Sequence, residues 1–288
     1  MVHFYQHIRY FRPMVYDCFV FYDELDLLDI RLNVLDKVVD KFVIIESKKT
    51  FRGTDKPLFY IENKQRYAQF ESKIIHVVVE DFPKVNWKKL RPFSNWDRED
   101  YQRNALAKAL VNCAPDDVII FSDVDEIPTP EKVTEYLHKP GIKTFYQELY
   151  YYYLNNLAYE HTEPNAMYKD YIPWHGTVMA NYSFFKKYGC NNMRTYRSKK
   201  DSEHTMVMDG GWHFSFMGGT EMILKKMRAY SHTEYMTEDM FNPQWVETQV
   251  RSGKDIFNRP MKFKPVGVER LPKYVQDHQA KYSKLLLS

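Results

Sequence analysis

The segment Val118-Ile-Ile-Phe-Ser-Asp123-Val-Asp125-Glu126-Ile-Pro128 is an apolar run that ends in two carboxylates spaced two residues apart. In an open α/β sheet, ligands bind at the carboxyl ends of strands. Aspartates at i and i+2 can converge there on one hard cation once the chain turns. Carboxylate oxygens suit Mg²⁺ or Mn²⁺, ions that also hold phosphates. Read alone, the same pattern is a solvated acidic turn, closed by Pro128 and Pro130.

A second segment, Gly210-Gly-Trp212-His213-Phe-Ser-Phe-Met-Gly-Gly-Thr220-Glu221, sets glycine pairs around an aromatic stretch. The glycines let backbone approach a ligand closely. His213 offers a metal-binding nitrogen, and Trp212 a face for a sugar or base. A tight aromatic turn with a core histidine explains the same residues. Glu221 follows Thr220, a suitable N-cap; there it complements the helix dipole or serves as a general base at a pocket rim. In Asp97-Arg-Glu-Asp100-Tyr-Gln-Arg103-Asn104, Asp100 shares a helix face with Arg103 or Asn104. The Arg103 fork suits a diphosphate, and a surface ion-pair network is the alternative. Glu46-Ser47 ends an apolar run, placed for a nucleoside contact or a plain turn. Tyr150 to Tyr153 and Trp174-His175-Gly176 offer rings to the apolar faces of sugars, or to the core.

These residues need a scaffold, and the hydrophobic pattern supplies one. Short apolar runs at Val15–Tyr22, Lys41–Glu46, Ile74–Val79 and Val118–Phe121 read as buried strands. Leu25, Leu28, Leu32 and Leu35 recur at helical spacing. Ser94 with Asp97 gives a capping-box-like start to a helix through Leu110. The βαβα order predicts a mainly parallel sheet covered by helices. Beyond residue 140 come an aromatic strand, Phe145–Leu154, a helix over Glu221–Tyr230 and a helical tail over Lys273–Leu287. No Pro/Gly/Ser linker divides the chain, so one α/β domain over residues 1–288 is expected.

Composition narrows the class. The 288 residues include 41 Lys+Arg against 38 Asp+Glu, a net charge of +3 without the basic excess usual in nucleic-acid binders. Aromatics make up 16% while glycines number 10, which argues against disorder. Cys18, Cys113 and Cys190 are far apart and form no even disulfide framework, pointing to a reducing compartment. No apolar run reaches the ~18 residues that span a bilayer. The stretch Met1 to Pro13, with His3, His7, Arg9 and Arg12 among aromatics, lacks a signal peptide's apolar core. A cytoplasmic location without a membrane anchor is therefore the expectation.

The motifs together resemble glycosyltransferase family 17, over roughly Tyr16 to Tyr235. The resemblance rests on Glu24-Leu-Asp26-Leu-Leu with Arg31; Glu46-Ser47 with Thr50, Gly53 and Pro57-Leu58; Asp100-Tyr with Arg103; Pro115-Asp-Asp-Val leading to Asp123-x-Asp125-Glu-Ile-Pro128; and Gly211-Trp-His213-x-Ser215 with Glu221. It implies a GT-A fold, a single Rossmann-like mixed sheet flanked by helices. A nucleotide-sugar-binding half over 14–128 would precede an acceptor-binding and catalytic half over 129–288.

The resemblance also implies an inverting enzyme that uses Mn²⁺ (or Mg²⁺) and a UDP-sugar, UDP-GlcNAc in the characterised branch. By position, Asp125, Asp123 and His213 would hold the metal. Glu46, Asp100, Arg103, Asp123 and Trp212 would line the donor site, and Trp174, His175 and Tyr152 the acceptor site. Glu221, with Asp209 as second choice, would be the base. The metal and Arg103 would neutralise the leaving diphosphate. The stretch Glu160 to Met208 shows little of the family pattern, so a glycan, lipid-linked sugar or glycoprotein acceptor of a bacterial or viral source is expected. Two rivals remain: a metal-dependent phosphohydrolase with Asp123 as nucleophile, and a non-catalytic sugar-binding protein.

Overall fold

A computed structural model of the chain describes residues 12–161, 171–197, 203–229, 231 and 236–287. The expected features at Met1–Phe11, and Tyr230 and Tyr235, lie outside these residues. The element order is β1 (Val15–Val20), α1 (Leu25–Leu35), β2 (Lys41–Ser47), α2 (Phe59–Glu62), β3 (Ile74–Val79), β4 (Val85–Asn86), β5 (Arg91–Pro92) and α3 (Asn95–Asn104). Next come β6 (Val118–Asp123), β7 (Glu126–Pro128), α4 (Pro130–Tyr136), β8 (Ile142–Tyr151), β9 (Asn156–His161) and β10 (Pro173–Asn181). The chain continues through α5 (Tyr182–Tyr188), α6 (Cys190–Tyr196), β11 (His204–Val207), β12 (Gly211–Ser215), α7 (Gly219–Ala229), α8 (Pro243–Arg251), β13 (Met261–Pro265) and α9 (Lys273–Asp277).

One large sheet organises the fold, in the order β13-β9-β8-β10-β6-β1-β2-β3. β3, β2, β1 and β6 are mutually parallel, as the βαβα pattern predicts. β10 then enters antiparallel to both β6 and β8, which makes the sheet mixed. Alternation along the parallel strands splits the core. Val15, Phe19, Phe42, Ile44, Val118 and Ile120 pack on one face with Leu28, Leu32 and Leu35 of α1. Cys18, Val43, Ile45, Ile119 and Phe121 pack on the other with Leu106 and Leu110. A strand buried on both faces reads as a continuous apolar run, which is why these were legible.

The capping box at α3 is present: Ser94 Oγ accepts from Asp97 N at 3.2 Å, and the Asp97 carboxylate accepts from Ser94 N at 2.9 Å. Three expectations are corrected. Pro128 does not stop a strand; it lies in β7, which pairs antiparallel with β12. Thr220 does not cap α7, which already begins at Gly219. The tail is not one helix, because His278 leaves helical geometry (φ −125°) and only a short 3₁₀ turn, Ser283–Leu285, follows. Cys18, Cys113 and Cys190 form no disulfide. Among the described residues, no helix is long and apolar enough to cross a membrane.

Candidate functional site

Parallel pairing sets Val20, the last residue of β1, beside Asp123, the last of β6. The carboxyl ends of the two strands thus open on the same side, where a ligand can reach them. The four-residue turn from Asp123 to Glu126 is held from several directions. Arg31, fully buried on α1, grips Asp17 with Nε at 2.8 Å and Nη2 at 2.6 Å. Its Nη1 donates to the carbonyls of Asp123 at 2.9 Å and Glu126 at 2.8 Å. Phe214 N donates to the Asp125 carbonyl at 2.9 Å, and Val124 N to Val20 O at 3.2 Å. These bonds fix the turn backbone, and Asp123 N donates further to Glu126 Oε2 at 3.1 Å.

Three cations are shared among the carboxylates. Arg194 of α6, itself buried, places Nη2 2.7 Å from both Asp123 Oδ2 and Glu126 Oε1, while its Nη1 pairs with Glu126 Oε2. Arg103 Nη2 lies 3.4 Å from Asp123 Oδ1 and 2.6 Å from Glu99. Lys226 of α7 bridges Asp125, at 2.8 Å, and Glu24, at 3.2 Å. The charges shift accordingly. Burial pushes the Asp123 carboxyl up, but Arg194 and Arg103 outweigh it and hold the group down at about 2. Burial is likewise outweighed at Asp125 by Lys226 and His213, which hold it well below the usual carboxylate range, and at Glu126 by Arg194, which lowers it. Glu24 goes the other way. Burial pushes it up, helped by Asp23 and Asp125, and Lys226 offsets only part. Arg194, with burial second, pulls the neighbouring Arg197 down to about 10.

The carboxylates of Glu24, Glu99, Asp123, Asp125 and Glu126, with Arg103 and Lys226, wall one open cavity. Of the residues expected at the site, the cavity gathers Asp123, Asp125, Arg103, His213 and Trp174. His213 Nε2 stands 3.7 Å from Asp125 Oδ1, and its Nδ1 is buried without a hydrogen-bond partner. The Trp174 ring lies 4.5 Å from the His213 ring, and its Nε1 donates to Glu126 Oε1 at 2.6 Å.

The other expected residues are not brought to the cavity wall. Glu46 is fully buried and spends its oxygens on Phe59 N (2.6 Å), Tyr60 N (3.3 Å), Lys56 (3.2 Å) and His76 (3.1 Å), closing the start of α2. Asp100 points off the wall of α3 that Glu99, Gln102 and Arg103 form at i, i+3 and i+4; burial raises it. Strand alternation turns Trp212 away from the His213 side, where its Nε1 donates to Arg270 O at 2.7 Å. Tyr152 is buried and donates to Lys254 O at 2.7 Å; its neighbour Tyr151 reaches the cavity instead. His175 is exposed, tilted on Tyr146 at 4.3 Å. Glu221 is exposed in the first turn of α7, and Asp209 is exposed in the turn before β12, so neither reaches the cavity as a base. Nor do Gly210 and Gly211 serve a ligand. A Cβ on Gly211 (φ +127°) would lie 2.2 Å from Ile127 O, so the residue permits the β7–β12 contact.

Asp123, Asp125 and His213 have the oxygen and nitrogen chemistry of a Mn²⁺ or Mg²⁺ site. Their arrangement does not match one. Among the described residues, no three His, Cys, Asp or Glu side chains converge on a metal position. Asp123 is turned to its arginines, and the Lys226 ammonium occupies the open side of Asp125. Sequence reasoning missed Lys226 and Arg194 entirely, and gave Glu24 and Glu126 no role. The signal for Glu24 and Glu126 was present in the motifs that contain them. Arg194 falls within the stretch where the sequence shows little of the family pattern, and Lys226 is one of two adjacent helical lysines that only packing tells apart.

The sequence profile of glycosyltransferase family 17 matches residues 1–265. The chain is 35% identical over 116 residues to the human β-1,4-mannosyl-glycoprotein 4-β-N-acetylglucosaminyltransferase and to its rat counterpart, covering 38% of this chain and 21% of each relative. The match therefore spans about a fifth of those proteins' length. Among solved structures, the chain is similar to the mannosyltransferase PcManGT of Pyrobaculum calidifontis, in complex with GDP-Man and Mn²⁺, at a TM-score of 0.41 and 12% identity, over 76% of this chain and 62% of that one. HddC of Yersinia pseudotuberculosis is similar at a TM-score of 0.39 and 11% identity, over 69% and 91%.

Proposed function

The chain belongs to glycosyltransferase family 17, and we propose that its cavity binds a nucleotide-diphospho-sugar, in the first instance UDP-GlcNAc, and transfers the sugar to a hydroxyl of a glycan or glycoconjugate. The observation that carries this reading is the paired array at the ends of β1 and β6. Arg103 and Lys226 are cations on the wall of an open cavity, and each is held by a carboxylate that a diphosphate can replace. Preorganised cations of this kind stabilise the charge that develops on a leaving diphosphate. Tyr22, on the cavity wall beside Lys56, offers a ring that suits a nucleobase. Tyr151, Trp174 and Phe216 stand on the wall across the strand ends and suit the sugar and acceptor.

Inverting transfer needs a proton acceptor for the incoming hydroxyl. Of Glu24, Asp123, Asp125 and Glu126 on the wall, Glu24 is raised while the other three are lowered. A raised carboxylate is the better match to a proton from a hydroxyl near neutral pH, and we assign Glu24 that role. Among the described residues the side chains as they stand do not fit a divalent cation, so no step of the transfer runs through one; Mn²⁺ enters only as a competitor of Lys226 for Asp125, to be tested by binding. Calorimetry with UDP, with and without Mn²⁺, followed by a donor screen read by released nucleotide, tests the reading. Absence of binding to UDP and to every other nucleoside diphosphate would overturn it.

A further inference from the structure

The segment Lys84-Val-Asn-Trp87-Lys88-Lys89-Leu90-Arg91-Pro92 has four cations and no acid. It folds as the β4–β5 hairpin, with Val85 paired to Pro92 and Asn86 to Arg91. Its root is fastened. The buried Asp97 carboxylate accepts from Asn86 Nδ2 at 2.9 Å and from Arg91 Nη1 at 2.6 Å, and Lys89 Nζ lies 3.4 Å away. Its tip is not covered. Trp87 is 78% exposed and Leu90 82% exposed, the two most exposed large apolar side chains among those described. Leu90 also holds a left-handed φ of +49°, a conformation that costs a non-glycine residue energy. A rigid root that presents a tryptophan and a leucine to solvent, ringed by lysines, is not explained by packing.

We infer that this hairpin docks the protein on an anionic lipid surface, with Trp87 and Leu90 entering the headgroup boundary and Lys84 and Lys88 facing the lipid charges. Tryptophan partitions to membrane interfaces because its ring is apolar and its N–H is polar. Lysines extend their stems along apolar surface and keep the ammonium at the headgroups. Anionic leaflets attract such basic segments. A tip-to-tip contact between two copies would instead bring eight cations together, so charge favours lipid over a second chain. The same structure links the tip to the cavity. Asp97 anchors the hairpin in the first turn of α3, and Glu99, Gln102 and Arg103 of that helix line the cavity wall. If the transfer proposed above holds, the acceptor is presented at the bilayer, and that clause alone rests on the proposed reaction.

Flotation of the full chain with phosphatidylcholine vesicles, with and without phosphatidylserine, tests the docking without any donor or acceptor. The chain should float with the phosphatidylserine vesicles, and salt should release it. Trp87→Ser with Leu90→Ser should weaken binding by about tenfold or more, from the lost apolar burial. Lys84→Glu with Lys88→Glu, which leaves the apolar tip intact, should weaken it by about twentyfold or more. Both variants should keep the parent's melting temperature and UDP binding, so lost docking is distinguished from lost folding or a failed donor site. No flotation of the parent, or equal flotation of the lysine variant, overturns the inference. So does a parent dimer that these substitutions dissociate, which would assign the tip to a copy-to-copy contact.

Discussion

Arg31 donates to the backbone carbonyl of Asp123 at 2.9 Å while its other nitrogens hold the carboxylate of Asp17. One guanidinium thus joins helix α1, strand β1 and the acidic turn in a place with no access to solvent. Its task is to aim the turn, since it touches the carbonyls of the motif and none of the motif's carboxylates.

Arg31→Met should therefore destabilise the fold by about 3–5 kcal/mol, because it leaves Asp17 buried and unpaired. Urea denaturation measures the loss. Arg31→Lys should recover only part, since an ammonium cannot reproduce the fork. An unchanged midpoint for Arg31→Met would show that Asp17 finds another partner.

Lys226→Met should change two affinities in opposite directions. UDP alone should bind about tenfold more weakly, through loss of a cation on the wall. Mn²⁺ alone should bind about tenfold more tightly, since Asp125 and Glu24 lose the ammonium that neutralises both. Calorimetry of each ligand separately reads both changes. A loss of both affinities would place Lys226 as a purely structural bridge.

The two glutamates expected to differ can be compared directly. Glu221→Gln, exposed on α7, should keep transfer within about twofold of the parent. Glu24→Gln should lower kcat by about a hundredfold or more and retain UDP binding. The opposite pattern would return the base to Glu221.

Lys143 gives a pH prediction away from the site. It is buried on β8, donates to Gly141 O at 3.0 Å, and burial lowers it from 10.5 to about 8. Below pH 8 the ammonium is charged in both folded and unfolded chains, and the folded state bears the desolvation cost. Between about 8 and 10.5 the unfolded chain keeps a proton that the folded chain has released. Stability from this group should therefore rise with pH across that window. Lys143→Met should abolish the rise and stabilise the protein at neutral pH by roughly 3 kcal/mol. Urea midpoints measured across pH check both points.

The parallel half of the fold was legible because its strands are short apolar runs buried on both faces, and α1 shows its period in four leucines. The acidic turn was legible for the same reason: Asp123 directly follows such a run. Glu46 misled because a strand-end carboxylate looks alike whether it meets a ligand or caps a helix such as α2. Trp212 misled because neighbouring residues on a strand face opposite ways, and Tyr152 because it leaves the strand in a left-handed turn (φ +67°) just past β8. Arg194 reaches the turn from α6, 71 residues further along the chain than Asp123. No local pattern encodes a pairing at that separation. The bacterial or viral source expected from the sequence gains no support from the mammalian relatives.

The sharing of a few cations among the wall carboxylates makes the cavity behave like an ion-exchange bed. A dianion that captures Lys226 strands Asp125 and Glu24 as bare charges. A cation that captures Asp125 strands Lys226. Arriving together, the two ligands leave neither side stranded, so each is expected to bind more tightly in the other's presence than alone.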